Sequence, residues 1–129
     1  MGKEIDITNE VRSNRIYIPV EITVNGQTNT CNALIDTGAS LTCIDETFIP
    51  NGTSFESQIP IIGVNDGGKD IADLVRNQYR ADIRIPALDV TFTNVLATST
   101  KDNDKSILGM NIIKYLKFQI DNGKWTLTI

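Results

Sequence analysis

The stretch NALIDTGASLTCID, residues 32–45, decides the fold of this chain. An apolar run precedes Asp36 and predicts a buried strand that delivers the carboxylate to its end. Gly38 permits a sharp turn there and leaves its backbone N–H free to bond the carboxylate. Ser40 is placed to donate a hydrogen bond that favours the ionised form, and Thr37 adds a hydroxyl that can reach a neighbouring loop. Such an aspartate is either an ordinary loop carboxylate or half of a pair that activates water.

The composition narrows the chemistry. The chain has 129 residues, 40% hydrophobic and 22% charged, which predicts a single globular domain over residues 1–129. A net charge of −4 with both signs scattered argues against nucleic acid or an anionic membrane surface as partner. The absence of histidine excludes Ser-His and Cys-His nucleophiles and every zinc set that needs histidine. Cys31 and Cys43 are too few for a structural zinc site, so we expect buried reduced thiols and no metal.

The chain also lacks signals for membrane insertion or export. There is no apolar run of about 18 residues that would predict a membrane-spanning helix, and the start does not resemble a signal peptide. We therefore expect no membrane segment in this chain. The lack of a clear disulfide pairing favours the cytoplasm, although the sequence does not identify the compartment or the natural substrate.

Most of the chain is predicted to be β. Apolar and polar residues alternate as in half-buried strands, and Asn25-Gly26 predicts a tight hairpin turn. Residues 45–60 are predicted to be irregular. The predicted elements are strands over 15–24, 28–35, 41–44, 79–85, 90–97, 118–121 and 125–129, and one short helix over 110–116. We expect an all-β domain with one short C-terminal helix, a core over about 15–129 and an N-terminal arm over 1–14.

A second motif stands near the end of the chain. SILGMNIIKYLKFQIDNGKWTLTI, residues 106–129, runs from two apolar residues and a glycine into a short helix and a closing hairpin. LIDTGAS, residues 34–40, resembles the active-site motif of aspartic proteases, and residues 106–129 resemble the second landmark of that family. Because the chain carries one Asp-Thr-Gly, it is similar to the retropepsin-like (retroviral-type) branch. The tail is similar to the bacterial members and to the DNA-damage-inducible ubiquitin-shuttle domains.

The resemblance implies a closed β-barrel-like acid protease fold with a flap hairpin over the substrate. It makes Asp36 the catalytic aspartate and implies a homodimer without metal or cofactor. The residues that support the active site would be Thr37, Gly38, Ala39 and Ser40. The flap and substrate-binding residues would be Gly63, Val64, Asn65, Asp66, Gly67 and Gly68. The apolar-apolar-glycine segment packed behind the catalytic turn would be Ile107, Leu108 and Gly109.

The chemistry itself asks for a second carboxylate. One aspartate cannot both take a proton from water and give one to the substrate carbonyl. Other acids of the chain are predicted to lie in polar or irregular stretches, with no glycine turn and no buried strand leading to them; these are Asp45, Asp66, Asp70 and Asp104. We therefore expect Asp36 of a second copy to complete the site. Strands at the chain ends, 125–129 and 5–8, are the predicted dimer-forming elements.

The predicted activity is that of an aspartic endopeptidase acting on an extended peptide or protein substrate, which pairs as an added strand. Two alternatives stay open. One is a dimerisation or peptide-binding module of the same fold with weak or no catalysis, and the other is a self-processing segment of a longer polyprotein. The intact Asp36-Thr37-Gly38 favours catalysis.

Overall fold

The alternating segments of the sequence form strands in the computed structural model, which describes residues 4–60, 75–101 and 106–129. Short 3-10 turns connect some of the strands, at Thr8–Glu10, Glu46–Phe48 and Pro86–Leu88. The elements, in chain order, are β1 (Ile5–Asp6), β2 (Val11–Arg12), β3 (Arg15–Val24), β4 (Gln27–Ile35), β5 (Thr42–Asp45), β6 (Ser57–Pro60), β7 (Val75–Ile85), β8 (Val90–Thr100), β9 (Ile107–Leu108), α1 (Met110–Ile113), β10 (Lys117–Asp121) and β11 (Lys124–Thr128). The prediction of a mostly-β fold with one short helix is confirmed.

Two hairpins are closed by Asn-Gly turns. Asn25 and Gly26 have φ angles of 46° and 82°, and Asn122 and Gly123 have φ angles of 49° and 79°. These left-handed pairs match the twist of two-residue hairpins. The turns join β3 to β4 and β10 to β11, both antiparallel.

Eight strands form one sheet that turns back on itself. The strand order is β2-β3-β4-β9-β5-β8-β7-β6, and an additional pairing of β3 with β7 closes six of these strands into a ring. The other three strands, in the order β1-β11-β10, form a separate sheet. The fold is therefore barrel-like without being a strict barrel, and it agrees with the predicted acid-protease architecture.

The inward faces of these strands supply the core. Ile18, Val20, Ile22 and Val24 of β3 are each 1% exposed, so the period-two pattern of this strand marks burial directly. Ile7, which lies in the segment predicted to be an N-terminal arm, is also 1% exposed and belongs to the same cluster. The arm is thus packed against the core through this side chain.

Two predicted boundaries differ from the structure. Residues 45–60 were predicted to be irregular, but β6 occupies Ser57–Pro60 and pairs antiparallel with β7. Side-chain hydrogen bonds from Ser57 to Gln78 and from Gln58 to Asn77 support this pairing. Because β6 has no alternating pattern of its own, its partner strand determines its conformation.

The helix is shorter than the predicted range of 110–116. After Met110–Ile113, the amides of Tyr115 and Leu116 donate to the carbonyls of Ile112 and Ile113, three residues back. Such tight bonds end an α-helix in a 3-10 turn. No helix in the three described ranges is long and apolar enough to cross a membrane.

The two chain ends pair with each other. β1 pairs antiparallel with β11, where Ile5 lies opposite Leu127, and the Ile7 amide donates to the Trp125 carbonyl at 2.9 Å. β10 occupies the other side of β11. Within one chain β11 therefore has a neighbour on both sides. The expectation that the chain ends at 125–129 and 5–8 form a dimer stays a prediction.

Replacing Ile7 tests how firmly the N-terminal segment belongs to the core. Ile7→Ala is expected to lower the free energy of unfolding by about 2–5 kcal/mol, through lost burial and the cavity left behind. The control is Ile129→Ala, at a position that is 44% exposed, and we expect it to cost less than about 1 kcal/mol. Urea unfolding followed by circular dichroism measures both values. Equal losses from the two substitutions would contradict the packing of Ile7.

Candidate active site

Asp36 directly follows β4 and is held there by a parallel neighbour. The amides of Leu34 and Asp36 donate to the carbonyls of Ser106 and Leu108, at 3.0 and 3.1 Å. This ladder is the pairing of β4 with β9, in which Ile35 lies opposite Leu108. The apolar segment predicted to pack behind the turn is therefore hydrogen-bonded to the strand that carries the aspartate.

The turn after Asp36 directs an amide at its carboxylate. The Gly38 N–H donates to Asp36 Oδ1 at 2.8 Å, and the Ala39 N–H donates to the Asp36 carbonyl at 3.2 Å. Gly38 does not have a positive φ; a Cβ added to it would instead lie 3.1 Å from Asp36 Oδ1. A side chain at 38 would crowd the carboxylate, and Asp36 Oδ1 would have to give by a few tenths of an ångström. The side chain of Asp36 is half-buried.

The start of α1 holds the turn from behind. The amides of Met110 and Asn111 donate to the carbonyls of Ala39 and Ser40, at 2.7 and 3.2 Å. Gly109 allows this approach, because a Cβ there would lie 2.4 Å from the backbone carbonyl of Leu41. The predicted apolar-apolar-glycine segment thus ends in a glycine that close backbone packing requires.

A side-chain brace that the sequence analysis missed joins three elements below the turn. Asn111 Oδ1 accepts from the Thr42 amide at 3.0 Å and from the Thr42 hydroxyl at 2.8 Å, and Asn111 Nδ2 donates to the Leu96 carbonyl at 3.0 Å. The Gly109 amide donates to Thr42 Oγ1 at 3.2 Å. Asn111 and Thr42 are polar residues within apolar runs, and that irregularity was the available signal in the sequence.

Thr37 and Ser40 are both exposed. Among residues 4–60, 75–101 and 106–129, the Thr37 hydroxyl has no hydrogen-bond partner, and Ser40 makes no side-chain bond to Asp36. Ser40 contributes through its carbonyl, which accepts from α1. The predicted donation from Ser40 to the carboxylate is therefore not made within one chain.

The predicted flap falls between two paired strands. β6 and β7 run antiparallel up to the pair Pro60 and Val75, and the chain between them includes Gly63 to Gly68. This segment, together with Asp70 and Asp104, lies outside the described residues.

Asp45 differs from its prediction. It was expected to have no buried strand leading to it, but it ends β5 and is 4% exposed. Its Oδ1 accepts from the amide and the hydroxyl of Thr47, both at 2.9 Å, and so caps the following 3-10 turn. This structural role accounts for its burial. Within the described ranges no group of three or more Cys, Asp or Glu side chains is arranged to hold a metal ion.

The two cysteines, predicted to be buried reduced thiols, are free and half-buried. Burial raises the pKa of Cys31. Burial also raises the pKa of Cys43, and the negative charge of Asp36 raises it further. The charge of Asp36 thus disfavours the thiolate form of Cys43.

Together, a strand ending in an aspartate, a glycine turn that bonds its carboxylate and a parallel apolar segment behind it form the local geometry expected of an aspartic-protease active-site turn. A family model described as aspartyl protease matches residues 20–112. The chain therefore belongs to the aspartyl protease family.

Solved structures share this fold. One is a retropepsin-like aspartic protease from Rickettsia conorii, with a TM-score of 0.59 and 20% identity over 99% of this chain and 92% of that one. Another is a foamy viral protease-reverse transcriptase, with a TM-score of 0.53 and 20% identity over 82% of this chain and 13% of that one. No match was found among curated proteins. The predicted similarity to a retropepsin-like family is confirmed.

The brace predicts a large cost for removing Asn111. Asn111→Ala leaves the Thr42 amide and the Leu96 carbonyl without their partner, and we expect it to lower the free energy of unfolding by about 1–3 kcal/mol. Asn32→Ala, at an exposed position of β4, is the control and should change this energy by less than about 0.5 kcal/mol. Thermal and urea unfolding measure both. A loss at Asn111 no larger than that at Asn32 would show that the brace does not stabilise the fold.

The link between Cys43 and Asp36 can be tested by alkylation. Since the Asp36 charge raises the Cys43 pKa, Asp36→Asn is expected to lower that pKa and speed alkylation of Cys43 by iodoacetamide roughly twofold to fivefold at pH 8. Cys31 serves as the internal control because Asp36 does not contribute to its pKa shift. Mass spectrometry of the two cysteine peptides measures both rates. Equal acceleration at both cysteines would mean that the substitution loosened the fold.

Proposed function

We propose that this chain is an aspartic endopeptidase whose active form is a homodimer, with Asp36 of each copy sharing one catalytic water. The observation that supports this most directly is the Asp36 carboxylate itself. It is half-buried, it stands at the end of a strand fixed on both sides, and it accepts a hydrogen bond from the Gly38 amide. A carboxylate oriented by backbone groups is prepared for proton transfer.

The acids in the described part of one chain support the need for two copies. Asp45 is the first acidic residue after Asp36 in the sequence, and it caps the turn at Glu46–Phe48. Asp82 accepts from the Asn94 amide on another part of the barrel, and Asp89 pairs with Arg84. None of these three has a glycine turn like that of Asp36. A two-fold axis beside the turn would bring two identical carboxylates together.

The proposed reaction uses the two carboxylates in different protonation states. Two carboxylates placed so close share one proton, because two negative charges at that distance repel each other. This is the general behaviour of aspartic-protease dyads. The ionised Asp36 takes a proton from the bridging water as the water attacks the scissile carbonyl carbon. The protonated Asp36 of the other copy donates to the carbonyl oxygen.

Three neighbouring residues receive supporting roles in the proposal. Gly38 holds the carboxylate, and Ala39 ties the turn to α1 through its carbonyl. The exposed hydroxyl of Thr37 is available to bond the turn of the second copy. The substrate would be an extended peptide paired as an added strand.

A cleavage assay with Asp36→Asn tests the function. Wild type is expected to cleave a diverse peptide library at some pH between acid and neutral, and Asp36→Asn should reduce the rate by about a thousandfold or more. Asp82→Asn, which keeps the hydrogen-bond acceptor for Asn94, is the matched control and should cleave like wild type. Mass spectrometry of the products measures all three.

The same assay separates the alternatives. Equal cleavage by wild type and Asp36→Asn would exclude the proposed dyad. No cleavage by either variant, with the dimer retained, would favour the dimerisation or peptide-binding module. An excess of Asp36→Asn should also suppress wild-type cleavage by forming mixed dimers, and no suppression would argue against a site shared between copies.

A further inference from the structure

A groove of about 500 Å³ lies between β8 and α1, and we call it the α1 groove. Its wall includes Leu41, Arg80, Phe92, Leu96, Asn111 and Tyr115. A cavity of this size is typical of sites that hold a small ligand or a few peptide side chains. Asp36 does not line it, so the α1 groove is separate from the catalytic carboxylate.

The α1 groove contains a pair of aromatic rings. Phe92 of β8 stacks on Tyr115, which follows α1, with ring centroids 5.9 Å apart and planes inclined at 29°. Tyr115 is 55% exposed, so much of its ring is open to a ligand. An exposed aromatic side chain offers a large apolar contact and loses little freedom when it binds. The pair therefore suits an aromatic or large aliphatic side chain.

The charge of the α1 groove is opposite to that of the whole chain. The chain has 16 acidic and 12 basic residues, yet Arg80 is the one charged residue among the described residues that line the groove. Lys114 Nζ lies 5.1 Å from the centroid of the Tyr115 ring and adds a second positive charge nearby. Such a groove is complementary to a ligand that carries a carboxylate.

Arg80 is held in place by the main chain and can exchange its acidic partner. Its Nη1 donates to the Asn94 carbonyl at 3.2 Å, which orients the guanidinium. Its Nε lies 3.4 Å from Glu56 Oε1, in an ion pair whose side chains are 43% and 50% exposed. Exposed ion pairs contribute little stability. The carboxylate of a ligand can therefore replace Glu56 at small cost.

The α1 groove lies close to the catalytic turn. Asn111 lines the groove, and its amide donates to the Ser40 carbonyl of the turn at 3.2 Å. Leu41 also lines it and lies five residues after Asp36, so the two Cα atoms are at most about 18 Å apart. An extended peptide advances about 3.3 Å per residue, so about six residues span that distance. A peptide bound at Asp36 is thus long enough to reach the groove.

We propose that the α1 groove binds a distal acidic segment of the polypeptide substrate, about six residues or more from the scissile bond. An aromatic or large aliphatic side chain of that segment packs against Phe92 and Tyr115, and a neighbouring carboxylate pairs with Arg80 or Lys114. The inference rests on the proposed function, because it adds a substrate class to the same enzyme. Substrate is favoured as the occupant because the groove adjoins the turn that carries the catalytic carboxylate.

Binding of a capped Asp-Asp-Phe-Asp peptide tests the site without any cleavage. We titrate it into isotope-labelled Asp36→Asn protein and follow the backbone amides by NMR. The largest shifts are expected at Leu96, Asn111 and Tyr115, which line the groove. Capped Asn-Asn-Phe-Asn and Asp-Asp-Ala-Asp should each bind about fivefold more weakly or worse, because each lacks one of the two contacts.

Variants of the groove test the two contacts separately. Arg80→Gln and Tyr115→Ala are each expected to raise the dissociation constant of the Asp-Asp-Phe-Asp peptide about threefold or more. The matched controls are Arg15→Gln, an exposed arginine of β3, and Phe55→Ala, an aromatic side chain that is 49% exposed; both lie outside the groove and should bind like wild type.

Glu56→Gln is a variant expected to act in the opposite direction. It removes the carboxylate that competes for Arg80 and should lower the dissociation constant about twofold. Weaker binding by this variant would contradict the pairing of the ligand with Arg80. Circular dichroism checks that each variant keeps the fold.

Cleavage of linked substrates tests whether the occupant belongs to the substrate. A peptide that the wild type cleaves is extended by Asp-Asp-Phe-Asp or by Asn-Asn-Ala-Asn, placed six to eight residues from the scissile bond. The acidic extension is expected to raise kcat/KM about fivefold, mainly through a lower KM. Free Asp-Asp-Phe-Asp should abolish that advantage and leave cleavage of the other peptide unchanged.

The outcomes separate this proposal from the proposed function. Shifts that avoid the groove, or equal losses in the groove variants and their controls, would overturn the site whether or not cleavage occurs. Binding in the groove with no advantage for the acidic extension would overturn the substrate as its occupant. Binding that follows the variants without cleavage of any peptide would contradict the proposed protease and leave the site for an acidic segment standing.

Discussion

The hydrogen bond from the Asp36 amide to the Leu108 carbonyl is the contact on which the site depends. It belongs to a parallel pairing of β4 with β9, and it fixes the end of the strand that carries the carboxylate. Directly behind it, Gly109 lets the chain pass against the Leu41 backbone, so that the first amides of α1 reach the turn. If residue 109 carried a side chain, the chain would have to move away from the Leu41 backbone. The turn would then lose the hydrogen bonds that it accepts from the first amides of α1. The position of one carboxylate therefore depends on a residue that has no functional group.

The brace below the turn extends the same constraint. Asn111 bonds Thr42 and Leu96, and so connects α1 to β5 and to β8. These three elements come from different parts of the sequence. β5 in turn pairs with both β8 and β9. Polar groups buried in this way favour one arrangement over many, because any other arrangement leaves them without partners. The rigidity of the turn thus comes from main chain and amides rather than from apolar packing alone.

The sequence predicted the parts of the fold that local rules decide. The alternation in β3 and the Asn-Gly turns gave the right strands and hairpins, since side-chain period and left-handed angles are properties of short segments. β6 was missed because its partner strand, not its own pattern, makes it extended. The motif around Asp36 identified the family, but the reason for Gly38 required coordinates, since a steric limit beside Oδ1 leaves no trace in composition. The pairing of the chain ends was likewise invisible, because any edge strand satisfies the same local pattern.

The Asp36 turn and the groups that support it are also synthesised and folded in a fixed order. Thr42 and Asn111 are 69 residues apart in sequence, and every backbone bond that holds Asp36 from behind comes from residues near Asn111. Pairings between distant segments form late, because a long loop must close before they contribute stability. A growing chain therefore contains the Asp36 carboxylate long before it contains the groups that orient it. Until residue 111 has been synthesised and folded back, the Asp36 carboxylate lacks the backbone hydrogen bonds that orient its turn.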